Sequence, residues 1–195
     1  MGHIGVCHAW RVRRLVPLLT VALALAGCGS DAGPPSASPG PAGTRAALTG
    51  SPPPLRALHA QSSRLLGGGP TAFRARLRAL QGHPVVVNKW ASWCGPCRAE
   101  FPVFQRASTE LGRRIAFLGV DSNDSDGDAK TFLRRYPVSY PSYSDPDQKV
   151  AKVFGATLAF PTTAFYDARG RLAYVHQGPY LTAAKLREDI ARYAL

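Results

Sequence analysis

Residues 85–102, which read VVVNKWASWCGPCRAEFP, decide the fold of this chain. The three consecutive valines at 85–87 form a β-branched run, which is typical of a strand that is buried on both faces. A tryptophan and the sequence Cys-Gly-Pro-Cys follow at 93–97, and the apolar residues after them predict a helix from about residue 97 to 111. The stretch therefore predicts a buried strand, a short loop and a helix that begins at a pair of cysteines.

The spacing of these two cysteines suits redox chemistry. Cys94 and Cys97 are separated by two residues, so they can close a small disulfide ring. The free N–H groups at the helix start and the positive end of the helix dipole favour a thiolate at Cys94, which can attack a disulfide in another protein. Cys97, one turn into the helix, is expected to be more buried and to resolve the mixed disulfide. Gly95 permits a tight loop, and Pro96 fixes the backbone between the sulfurs.

Metal binding is the main alternative for these residues, and we expect no metal. Zinc sites use the same cysteine spacing, but the sequence holds no second CxxC and no suitable histidine pair to complete four ligands. The acidic run DSNDSDGD at 121–128 does not fit an EF-hand, because Leu133 stands where a bidentate Glu is required. A purely structural disulfide between Cys94 and Cys97 is the remaining alternative.

The residues around the cysteines also carry a family resemblance. WCGPC preceded by VVVNKWAS resembles the active site of the thioredoxin superfamily, and WASWCGPCRAEFP is similar to its TlpA/ResA-like branch of extracytoplasmic thiol–disulfide oxidoreductases. The resemblance covers roughly residues 80–195. It implies an α/β, thioredoxin-like fold with a central mixed β-sheet flanked by helices, here with an N-terminal helical extension. It also implies no cofactor other than the redox-active disulfide Cys94–Cys97.

The apolar pattern supports this order of elements over residues 55–195. Residues 55–81 are expected to form two helical pieces, broken at 67–70, with Thr71 capping the second. The elements predicted after the active-site helix are a strand at 115–120, an acidic loop at 121–128, a helix at 129–136, a loop at 137–146, a helix at 148–154, a hairpin with strands at 161–167 and 171–176, and a last helix capped by Thr182.

The resemblance implies a second active-site element at Phe160-Pro161. Thioredoxin-like proteins place a cis-proline loop opposite the cysteines, and Pro161 matches it by position and context. The residue before the proline, Phe160, is then left free to pair with the substrate backbone. An ordinary trans proline that begins a strand is the alternative. Trp93, beside Cys94, is expected to border an apolar substrate surface.

The identity of the proton acceptor is the main departure from the family pattern. Cytoplasmic thioredoxins have a buried acid on the central strand, but the matching residue here is Asn88, whose amide cannot act as a base at neutral pH. The resemblance implies instead an acid in the loop after the next strand. Asp124 is therefore the predicted proton acceptor, with Asp121 as its competitor and a solvated acidic loop as the alternative to both.

The N-terminal residues indicate export. Residues 1–27 combine a basic segment with an apolar run, 15–26, that is too short to span a bilayer comfortably. The following Leu25-Ala26-Gly27-Cys28 resembles a bacterial lipobox, which implies cleavage before Cys28 and lipidation of its thiol. An ordinary secretory signal with a chance cysteine is the alternative. Residues 28–54, rich in Gly, Pro and Ser, are predicted to be a disordered linker that precedes a domain at 55–195.

These assignments leave one pair of free thiols and place the protein at the membrane. Cys7 would be removed with the signal peptide and Cys28 would carry lipid, so only the active-site pair remains, which favours redox chemistry over a disulfide framework. We expect the protein to lie on the extracytoplasmic face of the bacterial cell membrane. The formal net charge is +12, but the arginines are scattered and no nucleic-acid motif is present, so we expect no nucleic-acid partner.

The resemblance leads to one principal hypothesis and three rivals. The principal hypothesis is a membrane-tethered reductase of disulfides in exported proteins, with apocytochrome c as a candidate substrate and a membrane thiol donor of the CcdA/DsbD type. The second hypothesis is a disulfide-forming oxidase or isomerase, and the third is a thioredoxin-like module that binds an apoprotein. A peroxidase is less favoured, because no Thr of the peroxidase type precedes Cys94 at the expected spacing.

Overall fold

The computed structural model of the chain describes residues 1–2 and 40–195. Its helices and strands occur in the following order: α1 Pro41–Ala47, α2 Pro53–His59, β1 Leu65–Leu66, α3 Gly69–Ala79, β2 Val85–Trp90, α4 Gly95–Leu111, β3 Ala116–Ser122, α5 Asp126–Arg135, β4 Ser142–Asp145, a 3₁₀ helix Ala151–Phe154, β5 Thr162–Tyr166, β6 Leu172–Gln177 and α6 Ala183–Tyr193. No helix in the described part has the length and apolar character that crossing a bilayer requires.

The six strands form one mixed sheet in the order β1-β4-β3-β2-β5-β6. Strands β1, β4, β3 and β2 are parallel to one another, whereas β5 is antiparallel to β2 and β6 is antiparallel to β5. Helices flank the sheet. The predicted thioredoxin-like α/β fold with a central mixed sheet is therefore confirmed.

Strand β2 is buried along its whole length because side chains pack on both faces of the sheet. Val86 and Trp90 contribute to one apolar core, which they share with α4, α5 and α6. Val85 and Val87 contribute to a second core on the opposite face, together with Phe73 of α3. The alternation follows from the two-residue period of a strand, and it places the end of β2 next to the start of α4.

The N-terminal extension is helical as predicted, but it begins earlier. The predicted disordered linker, 28–54, is wrong for its final part, since α1 occupies Pro41–Ala47 and α2 begins at Pro53. Leu48 and Ser51 are buried, so the chain contacts the folded part well before residue 55. Residues 3–39, with the lipobox and Cys28, lie outside the described residues.

The predicted break at 67–70 is confirmed for residues 67–68 only, and the elements on either side differ from the prediction. Leu65 and Leu66, predicted to be helical, instead form the short strand β1, which pairs with β4. Helix α3 begins at Gly69, and its N-cap is Gly68 with φ 95° rather than Thr71. A positive φ at this position favours glycine, and the following proline suits the first turn of the helix.

Two predictions between residues 137 and 154 were wrong. The predicted loop contains strand β4, whose sequence SYSD lacks apolar alternation, so only its pairing with β3 and β1 reveals it. The predicted helix at 148–154 is reduced to a short 3₁₀ helix. The C-terminal hairpin and last helix are confirmed, and the Thr182 hydroxyl accepts the Lys185 N–H at 3.3 Å.

Candidate active site

The two cysteines form a disulfide at the N-terminus of α4, where the sequence placed them. Cys94 is the N-cap residue, and its Sγ accepts a hydrogen bond from the Cys97 backbone N–H at 3.1 Å. The S–S distance is 2.04 Å. Cys94 is 4% exposed and Cys97 is fully buried, so the first sulfur is the one that a partner could reach. A helix N-terminus that already donates to this sulfur would stabilise it as a thiolate after reduction.

The loop before Cys94 is held by the segment that follows β3. Asp124 accepts the Ser92 backbone N–H through Oδ2 and the Ser125 N–H through Oδ1. The Trp93 indole N–H donates to the Asn123 carbonyl at 2.9 Å. The predicted proton acceptor Asp124 therefore lies against the active-site loop, where its carboxylate orders the backbone. Its role in proton transfer stays a prediction.

The cis-proline element lies on the other side of the disulfide loop. The Phe160–Pro161 peptide bond is cis, as the resemblance implied. The Phe160 ring lies 5.0 Å from the Trp93 ring, between centroids, and Trp93 is 54% exposed. The structure thus brings together Trp93, Cys94, Phe160 and Pro161, and the two aromatic rings form an apolar border to the site.

Glu100 is the residue that the sequence analysis missed. It lies one turn beyond Cys97 on α4 and is fully buried, and its Oε1 accepts the Asn88 amide N–H at 2.5 Å. Its Oε2 accepts the Tyr180 backbone N–H at 3.0 Å. Burial raises the pKa of the Glu100 carboxyl to about 8, and this effect outweighs the two hydrogen bonds, which lower the pKa.

A signal for Glu100 was present in the sequence. Cys97, Phe101 and Phe104 predict one apolar stripe along α4, and position 100 falls on the same stripe at helical spacing. A carboxylate on a buried stripe is rare unless another group satisfies it, so its presence beside Cys97 points to a paired acid. The amide of Asn88, which replaces the expected acid on β2, is that pairing group.

Asp121 occupies a different environment from the loop that was predicted for it. It lies on β3, where it pairs with Trp90 of β2, and it is 1% exposed. Burial is the main reason that the pKa of Asp121 rises to about 9. The negative charge of Asp124 and a side-chain hydrogen bond to it come next, followed by the charges of Asp126 and Asp145. Asp121 therefore holds a proton at neutral pH.

Within residues 40–195 no cluster of three or more histidine, cysteine or acidic side chains is arranged to hold a metal ion. The acidic run 121–128 is divided between the end of β3, a short connection and the first turn of α5. In that turn the Ser125 hydroxyl accepts the Asp128 backbone N–H at 3.1 Å, so Ser125 serves as the N-cap of α5.

Comparison with known proteins connects this site to a family. The model of the AhpC/TSA family matches residues 71–175. A relative from Paracoccus denitrificans, a thiol:disulfide interchange protein DsbE homolog, is 42% identical over 105 residues, which cover 53% of this chain and 53% of the relative. The thiol-disulfide oxidoreductase ResA of Halalkalibacterium halodurans is 29% identical over 103 residues, which cover 52% of this chain and 58% of ResA.

Among solved structures, the exposed lipoprotein thioredoxin Etrx1 of Streptococcus pneumoniae superposes with a TM-score of 0.53 and 26% identity. The superposition covers 60% of this chain and 89% of Etrx1. The chain spans between half and two thirds of the length of the curated relatives that it matches.

The raised pKa of Glu100 predicts how stability depends on pH. In the unfolded chain a Glu titrates near pH 4.3, whereas in the folded protein Glu100 titrates at about 8. Between these values only the folded state holds the proton, so Glu100 makes the free energy of unfolding fall as the pH rises through this window, with a slope of up to about 1.4 kcal/mol per pH unit. The Glu100→Gln variant should lose this contribution.

Denaturant unfolding of the oxidised full-length chain at pH 5, 6, 7 and 8 measures the effect as the difference between the variant and the wild type. Glu110→Gln is the matched control, because Glu110 lies on the same helix with a side chain that is 45% exposed. Parallel pH profiles for the wild type and Glu100→Gln would show that Glu100 titrates normally in the folded protein.

Proposed function

The chain belongs to the AhpC/TSA family, and from this premise we propose that it is a thiol–disulfide oxidoreductase that acts outside the cytoplasm. The observation that carries the proposal is the Cys94–Cys97 disulfide at the start of α4, beside a cis-proline loop with an aromatic border. The relatives are named thiol:disulfide interchange protein and thiol-disulfide oxidoreductase, which favours this chemistry over peroxide reduction.

The reaction is an exchange of one disulfide for another. In the reduced protein the Cys94 thiolate attacks a substrate disulfide, forms a mixed disulfide and releases one substrate thiolate. The Cys97 thiol loses its proton and attacks Cys94 Sγ, which re-forms the protein disulfide and releases the second substrate thiolate. Two electrons pass from the protein to the substrate, and the substrate leaves as a dithiol after taking up two protons.

The removal of the proton from Cys97 has two candidate acceptors. Asp124 is the acceptor that the resemblance implied, and it contacts the loop that carries Cys94 through the Ser92 N–H. Glu100 is one turn from Cys97 on α4, but burial raises its pKa to about 8, so at neutral pH its carboxyl already holds a proton and must lose it before it can accept another. We therefore keep Asp124 as the proposed acceptor.

The direction of electron flow is proposed to be reductive. The Gly-Pro pair between the cysteines resembles that of reducing members of the superfamily, and proteins with disulfides outside the cytoplasm are the proposed substrates. Apocytochrome c before haem attachment is one candidate. Because no soluble thiol pool is expected in that compartment, a membrane thiol donor of the CcdA/DsbD type would have to regenerate the dithiol.

The proposed location is the outer face of the cell membrane, through a lipid on Cys28. The lipobox-like sequence at 25–28 supports this proposal, and the structural neighbour Etrx1 is itself named an exposed lipoprotein. Gly40, the first residue of the described range 40–195, follows Cys28 by 12 residues.

The cysteine variants test the mechanism directly. Cys94→Ser should reduce insulin at no more than the uncatalysed rate, because the attacking sulfur is gone. Cys97→Ser should accumulate a mixed disulfide with substrate, because nothing resolves it. Insulin turbidity and non-reducing gels measure both effects. If instead a Cys94→Ala/Cys97→Ala double variant complements a deletion strain, the protein acts as a binding module rather than as an oxidoreductase.

The reduction potential tests the direction. Equilibration of the full-length chain with glutathione or dithiothreitol buffers should give a value nearer that of thioredoxin, about −270 mV, than that of the oxidant DsbA, about −120 mV. A value at the DsbA end would reject the reductase and support the disulfide-forming oxidase.

Membrane attachment is tested at Cys28. The Cys28→Ser variant should move from the membrane fraction to the soluble fraction and lose incorporation of labelled palmitate, because the thiol that carries the lipid is absent. Cys7→Ser, a cysteine ahead of the proposed cleavage site, is the matched control and should behave as the wild type. A Cys28→Ser protein that stays labelled and membrane-bound would contradict the lipid anchor.

A further inference from the structure

Lys89 is a buried lysine on the central strand that the disulfide chemistry does not use. Its side chain is fully buried, although lysine is among the residue types least often found inside proteins. It lies two residues after Val87 on β2, hence on the same face, and its Cα pairs with that of Thr162, the residue after Pro161. Lys89 is therefore next to the cis-proline loop.

The ammonium of Lys89 is satisfied by the residues that precede Pro161. Its Nζ donates to the Ala159 carbonyl at 3.2 Å and to Gln148 Oε1 at 3.2 Å. It also lies 3.6 Å from the centroid of the Phe160 ring, which is a close cation–π contact. No carboxylate oxygen of the described residues lies within 4.0 Å of Lys89 Nζ, the limit for an ion pair. Among those residues, the partners of the ammonium are therefore the Phe160 ring and two neutral oxygens.

This arrangement couples the charge to the conformation of the loop. A buried ammonium without a close counter-ion is costly unless polar groups and rings surround it. Burial lowers the pKa of Lys89 to about 8, against the opposing effect of the Asp145 charge. Two of the three partners, the Ala159 carbonyl and the Phe160 ring, belong to the loop itself. If the loop moved away, the ammonium would lose both, so the charge favours the observed loop position.

The same loop position shapes the face that a substrate would meet. The Phe160 ring contacts Lys89 and also packs against Trp93, the neighbour of Cys94. No hydrogen bond links the backbone of Phe160 to another described residue. Its N–H and carbonyl are thus available to an extended segment from another protein, as β-strand addition requires.

We propose that Lys89 is a positioning residue for protein substrates: its ammonium holds Ala159 and Phe160 so that the backbone beside Pro161 can pair with a disulfide-bearing segment docked over Cys94. This inference rests on the proposed thiol–disulfide exchange and deepens it. A small disulfide that reaches Cys94 without pairing to the loop has no need of this contact. Lys89 therefore separates protein substrates from small ones.

The Lys89→Met variant of the full-length chain tests the proposal, because methionine keeps most of the length and loses the charge. The KM for insulin should rise about tenfold with kcat changed less than about twofold, as expected for the loss of a desolvated cation–π contact. The rate with oxidised glutathione should stay within about twofold of the wild type. Lys152→Met, at an exposed lysine of the neighbouring 3₁₀ helix, is the matched control and should leave all three values unchanged.

A second pair of variants keeps the test decisive if Lys89→Met unfolds. Lys89→Arg preserves the cation and should retain a KM near that of the wild type. Phe160→Leu removes the ring and should raise the KM for insulin as Lys89→Met does. If Lys89→Met folds, an unchanged KM for insulin in that variant would overturn the proposal. If only Phe160→Leu folds, an unchanged KM for insulin in Phe160→Leu would do so. An equal loss of rate with insulin and glutathione would do so as well, since it would place Lys89 in the thiol chemistry.

NMR order parameters of the Ala159 and Phe160 amides separate this proposal from the proposed function. These order parameters should be about 0.85, the value of a rigid backbone, in the wild type and clearly lower in Lys89→Met. If the wild type does not reduce insulin, the proposed function fails, and the order parameters still decide whether Lys89 holds the loop. Equal values in the two proteins would overturn the positioning role whatever the activity.

Discussion

The burial of β2 on both faces is the constraint on which the rest of the structure depends. A strand that is covered on two sides offers no solvent to its polar side chains, so each must find a partner within the protein. β2 carries two such side chains in succession, and they point to opposite faces. Asn88 reaches α4 and pairs with Glu100, while Lys89 reaches the cis-proline loop. The two halves of the site are thus tied to one strand.

The same constraint determines the electrostatics around the disulfide. Burial disfavours the charged form of a titratable side chain, whether that charge is positive or negative. It raises the pKa of Glu100 to about 8 and that of Asp121 to about 9, and it lowers the pKa of Lys89 to about 8. Both acids are therefore protonated at neutral pH, and the base on β2 keeps its charge through a ring and two oxygens.

The distribution of these groups also separates two tasks. The side of the sheet that carries α4 holds the resolving cysteine, Cys97, and the buried acid Glu100. The opposite side holds the cation that supports Phe160, and the Phe160 and Trp93 rings form the border that a partner would contact. A substitution that alters how a partner docks could then leave the chemistry at the disulfide nearly unchanged. A substitution beside Cys97 could likewise alter that chemistry and leave docking nearly unchanged.

Local patterns were enough for much of this protein. The valine run and the CxxC pair at a helix start were recognised in the sequence, because strand burial and helix polarity each act within a few residues. The Phe160-Pro161 step was implied by the family resemblance. Glu100, the acid beside Cys97, was not predicted, because the resemblance implied an acid in the loop after β3, whereas Glu100 lies on the apolar stripe of α4. Strand β4 was missed because SYSD has no alternation of its own and exists as a strand only through its neighbours.

The sequence by itself determined the buried strand and the redox pair through short-range spacing, and its family resemblance implied the thioredoxin-like fold and the proline opposite the pair. Only the tertiary structure decided which groups meet: Asn88 with Glu100, Lys89 with Phe160, and Asp124 with the loop before Cys94. These contacts join positions that are 12, 71 and 32 residues apart along the chain. Their partners are selected by burial and by the crossing of strands, which no local pattern encodes.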